Sequence, residues 1–527
     1  MVIVGAGPVG SILALELAHH DIASVVVERS VAPPVFPKMD YLNGRTMELL
    51  RRLDLTERVR RGCVDPTVTS NFVWTTGLAA PPISVWHGPS PNELARRSLE
   101  INDGTAALEV YQRIPGNVLE ETLRQQVREH PLVDLREGWN CTAVNLDGPA
   151  AVAGLVDRSG TRHTIHATYL VGCDGANSAV RRSLGIDMPV AAPTTQRCSV
   201  YFRSADPRLR AHGRGFVTST TTGVTLVSRD ERDLWTASFQ VPTEVSQVDD
   251  PVAVLRDKLG VDLAVDEVIS VSGWQGALAV ADSYRVGPVF FAGDAAHRYY
   301  PFGGHGANTG IADAVDLGWK LAARLRGWGG ERLLDSYQAE RRPVALFNRE
   351  MCANLLEVAR RFGTLAAGGA SRSHLTGFLA EEAAQIGNTG IHFGYRYSGS
   401  PVISHEPGPE PAWRWHGIVP TTWPGGRAPS VRLPDGSALF DRFDREFTLV
   451  DFSATAAGEI LAKEAVRHGV PMTHLPIDDP AARTIWERDL VLIRPDHHVA
   501  WRGDAAPENW IEIVDLVTGR TAAQPRG

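Results

Sequence analysis

Apolar residues in this chain gather in short runs that close on glycine or aspartate. Val2-Ile3-Val4 opens onto Gly5, Gly7 and Gly10, after which Val9, Ile12, Leu13 and Leu17 recur at helical spacing. The pattern predicts a strand, a tight turn and a helix. A second β-branched run, Ala23–Val27, ends on Glu28, 18 residues past Gly10. Tyr169–Gly172 is a third, closed by Asp174-Gly175, with Ser178, Arg181 and Arg182 starting the next helix. Val289–Ala292 is a fourth, closed by Gly293-Asp294. The segment after it, Pro301–Asn308, is too glycine-rich for helix and feeds a helix with Ile311, Ala314, Val315, Gly318, Ala322 and Leu325 inward. Lys320, Arg324 and Arg326 match that helix's negative end, which leaves its N-terminus near Ala307 and Asn308 free to face an anion.

Between the third and fourth runs the pattern changes to period two. Arg197–Pro242 shows β-branched segments broken by Asp206-Pro207, Thr222-Gly223 and Asp230–Asp233, which predicts an antiparallel meander. Tyr201, Phe216, Trp235, Phe239 and Trp274 supply apolar area on it for an aromatic ligand, or else form its core. Residues 331–362 carry a long helical pattern, 363–435 a glycine- and proline-rich connection, and 436–527 alternating strand and helix signals.

The first unit is a dinucleotide fingerprint. Gly5 permits the turn, Gly7 lets backbone N–H groups approach a pyrophosphate, and Gly10 lets the helix pack on the sheet. Glu28 accepts from a ribose hydroxyl and repels a 2′-phosphate, so the resident ligand is FAD or NAD rather than NADP. The fingerprint by itself does not choose between those two.

At 527 residues, with 43% hydrophobic and 22% charged residues, the chain is expected to fold as two or three globular domains. A net charge of -8 argues against nucleic acid as partner. The five cysteines show no paired or zinc-type spacing, and the histidines no HExxH, so no metal site and a reduced, cytoplasmic chain are expected. No apolar stretch of about 18 residues predicts a membrane span.

GxGxxG, the Asp-Gly turn and Gly-Asp followed by Pro-x-Gly-Gly, in this order, resemble the single-component FAD-dependent aromatic hydroxylases. Supporting stretches are Arg45–Leu50, Leu317–Leu321, Tyr337–Pro343 and Leu492–Trp501, the last pointing to the phenol and aromatic-polyketide subgroup. The resemblance implies a Rossmann-type FAD-binding domain (1–68, 105–185 and 285–362), an interleaved antiparallel-sheet substrate domain (69–104 and 186–284) and a linker region (363–435). It also implies a thioredoxin-like C-terminal domain (436–527), here without redox cysteines. By resemblance, Gly5, Gly7, Gly10 and Glu28 hold the ADP half and Asp294 the ribityl chain, with Lys38 near the flavin's phosphate or ribityl chain and Pro8, Val9, Arg29 and Gly293 as further cofactor-binding residues. Gly306, Ala307 and Asn308 hold the isoalloxazine edge, Pro301 and Gly304 are further cofactor-binding residues, and Asp174, Gly175 and Arg181 support both nucleotides.

Lys38 and Gly116 stand where the family shows Arg and Gln, with Arg113 placed to replace the missing amide. His305, Ala307 and Asp316 replace Gln, Met and Asn. A loop histidine beside the flavin titrates near neutral pH unless it is a packing group, so His305 is a catalytic candidate together with Tyr299 and Tyr300.

The resemblance further implies that NADPH or NADH reduces the flavin transiently, since no second fingerprint is present. O2 then adds at C4a, and the hydroperoxide oxygen passes to an aromatic small molecule. Baeyer–Villiger or epoxidising chemistry on a polyketide is the alternative, and a non-catalytic flavin-binding protein the remote one. A homodimer is compatible with either.

Overall fold

The computed structural model describes residues 1–520 apart from 193, 214, 246–247, 384–386 and 456. Its first sheet is ordered Arg285–Val286, Val289–Phe291, Leu170–Gly172, Val2–Val4, Ser24–Glu28, Val133–Glu137. All neighbours run parallel except the first pair. Three of these strands are buried along their whole length, as a parallel sheet covered on both faces requires. The four apolar runs of the sequence therefore supply adjacent strands, and the chain turns after each carry the motif glycines and carboxylates to one edge of the sheet.

The seven-stranded second sheet is ordered Glu267–Gly276, Thr195–Arg203, Leu234–Val241, Thr225–Ser228, Val217–Thr220, Phe72–Thr75, Ser84–Trp86. Its period-two alternation sorts the aromatic residues. Trp235 and Phe239 share a face with Cys198, Val200 and Phe202, packed beneath Leu255 and Leu259 of the Pro251–Leu259 helix. They are core, not ligand wall. The opposite face carries Arg197, Ser199, Tyr201 and Trp274, with Phe36 against Tyr201 and Tyr300 against Trp274.

At the C-terminal end, Phe447–Asp451 pairs in parallel with Met472–Pro476 and antiparallel with Leu490–Ile493, which pairs antiparallel with Val499–Gly503. With intervening helices Ala457–Arg467 and Pro480–Trp486 and a closing helix Trp510–Val517, this is the strand order and direction of a thioredoxin fold. Among the described residues no helix is long and apolar enough to cross a membrane.

Two helices connect these units, and both differ from the pattern-based expectation. The first spans His305–Leu325 and so begins inside the glycine-rich segment expected to be non-helical. Gly303 and Gly304 take positive φ (78° and 66°) and absorb the turn. Gly306 then lies in the first turn, where backbone N–H groups have no helical partner in any case and glycine's cost is small. Lys320 is not at the helix's solvated end. It is fully buried and pairs with Asp316 at 2.8 Å and with Glu340 of the second helix, Glu331–Ala367. Arg494 from the thioredoxin-like unit binds the same two carboxylates, at 3.0 and 2.8 Å. A buried ion network thus joins that unit to the helix that starts at the glycine loop.

Candidate functional site

Four chain turns converge at the edge of the first sheet. Gly5 has φ 104° and lies against Cys173, where a methyl would overlap the carbonyl. Gly10 faces the Gly5 carbonyl just as closely. Gly7 differs from both. A methyl there would meet nothing within 4 Å, and Gly7 is the N-cap of the Pro8–His19 helix with no side chain capping it. The first two glycines are demanded by packing, whereas the third leaves the helix's unpaired N–H groups open to an anion, with Pro8 at the first turn. These residues fit a pyrophosphate.

Glu28 closes its strand with 8% exposure and accepts from the Ala6 and Ser30 amides, both at 2.8 Å. A carboxylate held by two N–H donors still has lone pairs for a ribose hydroxyl. The fully buried Arg124 on the Gly116–Glu129 helix braces the same corner, donating to the carbonyls of Ala6 (3.2 Å) and Ser30 (3.3 Å). Arg29 and Lys38 flank it in solvent.

The other two carboxylate turns lock onto this one. Asp174 accepts from the Ala179 and Val180 amides at 2.7 and 3.2 Å, and Gly175 takes φ 81°. Val9 wedges between Gly293 and Gly310, where added methyls would stand 2.8 and 2.7 Å from its side chain. Arg181 crosses between the turns, donating to the carbonyls of Ala295 (2.9 Å) and Ala176 (3.3 Å). Asp294 itself is exposed at the strand end.

Beneath it lies Asp313, a residue that motif reading missed. It accepts from the Gly293 amide, His297 Nε2 (2.8 Å) and Arg341 Nε (2.8 Å). Burial raises the Asp313 pKa, but the Arg341 guanidinium and the hydrogen-bonded His297 outweigh it and hold the carboxyl below its ordinary range. Its place one turn beyond Thr309 on an apolar helix face was the available signal.

At the start of the His305 helix, Pro301 is exposed and Gly306 has open space until Tyr299 at 3.9 Å. Gly304 packs on Tyr41. Asn308 is pinned: its amide donates to the carbonyls of Tyr41 and Gly304, and its oxygen accepts from the Asn43 amide and the Thr46 hydroxyl. The turn is fixed by side chains from other elements, leaving the backbone N–H groups of Gly306 and Ala307 for a ligand.

The buried Arg113 does not reach into the nucleotide groove; it binds Glu231 (2.5 Å) and the Ser228 carbonyl (2.8 Å) across the inter-sheet boundary, with Phe216 stacked 4.0 Å from its guanidinium. Gly116 is where it is because its amide donates to the Met39 carbonyl and Met39 leaves no room for a side chain. His305 does not titrate near neutrality, since 1% exposure and desolvation push its pKa down to about 4. Tyr299 is held by the Ala345 carbonyl at 2.9 Å, and burial drives its pKa well above the usual phenol range. Tyr300 bonds the Thr195 hydroxyl at 2.7 Å and lies 6.3 Å from Trp274, on the sheet face that turns toward the loop. That face continues through Ser199, bonded by Trp274 Nε1 at 2.8 Å, to Tyr201, whose ring meets Phe36 at 6.2 Å. Its edge holds a further group that sequence reading missed, Asp40. Asp40 is buried 3.6 and 3.5 Å from Arg113 and Arg229, and burial lifts its carboxyl to about 6 against the pull of those arginines.

Residues 1–348 match the FAD binding domain family, and residues 421–520 match the family described as aromatic-ring hydroxylase, C-terminal. The chain belongs to the FAD-dependent aromatic-ring monooxygenases. It is 33% identical to the FAD-dependent monooxygenase apdD of Emericella nidulans, over 96% of this chain and 87% of that protein. It is 30% identical to 4-methyl-5-nitrocatechol 5-monooxygenase of Burkholderia sp, over 98% and 96%. Among solved structures, the flavin-dependent monooxygenase PieE in complex with FAD and substrate superposes with a TM-score of 0.88 at 27% identity, covering 99% of both chains. For the complex of aklavinone-11 hydroxylase with FAD and aklavinone the values are 0.82, 25% and 98%. In this monooxygenase, then, the glycine cradle and the polar–aromatic sheet face belong to a flavoenzyme, and the thioredoxin-like unit is the C-terminal part of the same family.

Proposed function

We propose that this monooxygenase hydroxylates a phenolic or other electron-rich aromatic small molecule of natural-product metabolism, using NADPH or NADH and O2. One observation carries the reading: a free helix N-terminus and an open glycine cradle adjoin a sheet face bearing Arg197, Ser199, Tyr201, Trp274 and Tyr300. Such a face offers rings to stack on and hydroxyls to orient a phenol. The relatives named as polyketide hydroxylase and tetracenomycin monooxygenase-dioxygenases support a polycyclic aromatic substrate.

The first glycine turn, with Glu28, holds the ADP half of FAD. Asp294 holds the ribityl chain, with Asp174, Gly175 and Arg181 keeping the turns in register. Gly306–Asn308 present N–H groups to the isoalloxazine edge, where a helix N-terminus favours negative charge. Bound FAD supplies hydride acceptance from the nicotinamide and activation of O2. The chain's own residues bind and orient the ring system, and they exclude water so that the activated oxygen is not wasted. With one dinucleotide fingerprint in the chain, NAD(P)H is a transient visitor.

Anaerobic stopped-flow reduction with and without phenolic polyketides, simple phenols and hydroxypyridines tests this reading. Flavin reduction is expected to be much faster with the right aromatic present. Equal rates across the panel would reject substrate gating and favour a general flavin reductase.

A further inference from the structure

Beside the glycine loop lies a cavity of about 20 Å³ lined by His305, His392, Asn348, Arg45, Arg341 and Asn308, among others. The lining comes from four directions: the start of the Gly44–Arg52 helix, the loop helix, the Glu331–Ala367 helix and the segment that connects to the thioredoxin-like unit. That segment does more than link. Asn388 donates to the Gly303 carbonyl at 3.4 Å, and the Thr389–Phe393 helix brings His392 to 5.7 Å from His305, ring centroid to ring centroid.

Several polar atoms here are buried without a partner: both ring nitrogens of His305, Nε2 of His392, Oδ1 of Asn348 and Nε of Arg45. Their chemistry is complementary. Asn348 donates its amide to Thr309 at 2.9 Å, so its remaining oxygen only accepts, while Arg45 Nε only donates. Each neutral imidazole offers one donor and one acceptor. The charged groups facing the cavity are the Arg45 and Arg341 cations, with Asp313 already bound to Arg341, and Tyr395 and Tyr41 complete the titratable neighbours. Burial keeps His305 and His392 neutral, and the neighbouring His305 opposes protonation of His392 further.

Buried polar atoms left unpaired are costly, and an internal space of this size with two to four polar partners is what an ordered water needs. We infer that the cavity is a binding site for one water that bridges His305, His392 and Asn348, and that through this bridge His392 and Asn348 act as positioning residues for the flavin loop. The inference rests on the reading that the isoalloxazine edge lies at the start of the His305 helix. The bridge ties that first turn to the second helix and to the connecting segment, and so sets the aim of the turn's N–H groups. In this reading His392 and Asn348 act through the bridge and not by contact with the flavin.

The test has two arms. In a crystal structure of the FAD-loaded enzyme, a water is expected within about 2.7–3.2 Å of His305, His392 and Asn348. A dry cavity, or a His305 ring swung out to solvent, overturns the inference. In solution, His392→Gln keeps a donor and an acceptor, whereas His392→Leu keeps neither. The Leu variant is expected to bind FAD about tenfold more weakly. It should also lose about tenfold in preference for reduced over oxidised flavin, a midpoint potential lower by about 30 mV, while the Gln variant stays within about twofold of the parent. Two variants that both behave as the parent, or both lose function equally, overturn it. If the isolated enzyme takes up no FAD, the functional reading fails, and the cavity density of the apo crystal alone decides the inference.

Discussion

Gly7→Ala separates ligand demand from folding demand at the first turn. Gly7 has φ −65° and ψ 179°, which alanine adopts without strain, and the added methyl meets nothing within 4 Å. Gly→Ala at a compatible position gains roughly 0.4–1 kcal/mol from the unfolded state, and replacing glycine by alanine at an N-cap gives back a similar amount. The apo melting temperature is therefore expected to stay within about 3 °C of the parent. FAD binding is a different matter, because the methyl occupies the space through which N–H groups reach a pyrophosphate. Losing one charge-assisted hydrogen bond costs roughly 2 kcal/mol, about thirtyfold in Kd. Gly10→Ala is the control, since its methyl overlaps the Gly5 carbonyl and stands 3.2 Å from Cys173 Cβ, so fold and binding fall together. Thermal melts by circular dichroism and FAD titration by flavin fluorescence quenching read both quantities. Parent-like FAD affinity in Gly7→Ala, or a stability loss matching Gly10→Ala, refutes the assignment of the cradle.

Asp294→Ala should leave folding intact, because the side chain is exposed, yet weaken FAD by about tenfold or more through loss of a charge-assisted hydrogen bond to a ribityl hydroxyl; unchanged affinity by the same titration removes Asp294 from the site. Glu16, fully buried on the Pro8–His19 helix, is held by Arg52 at 2.8 and 3.0 Å and by His20. Burial raises its pKa, but these partners outweigh it and depress the value from 4.5 to about 2. A depressed carboxyl stabilises the fold above pH 4.5 and loses that contribution as pH falls toward 2, about 3 kcal/mol in all. Denaturant melts of Glu16→Gln should therefore fall below the parent at neutral pH and converge with it near pH 2, and parallel curves would contradict the account.

Much of the nucleotide side was legible because its chemistry is local. Gly5, Gly7, Gly10 and Glu28 lie within one strand–turn–helix unit, where backbone geometry dictates residue type, and Asp174 and Asp294 close strands whose apolar runs announce them. What escaped was set by distant packing. Arg113 was assigned by its neighbour in sequence, yet its partners Ser228 and Glu231 come from the other sheet. Lys320 sits at a position that suits a solvated helix end, and only the arrival of Asp316, Glu340 and Arg494 buries it. Trp235 and Tyr201 alternate onto opposite faces of one sheet, and the sequence does not say which face a helix covers. His305 looked like a loop group because Gly303 and Gly304 precede it, whereas the connecting segment closes over its ring.

The proposed reaction delivers one atom of O2 to an aromatic ring. Turnover under 18O2 with NAD(P)H and the aromatic that most accelerates flavin reduction, followed by mass analysis of the product, measures it directly. One 18O is expected in the ring product for each NAD(P)H oxidised. NAD(P)H oxidation that yields only H2O2, or a product whose new oxygen comes from water, would contradict it.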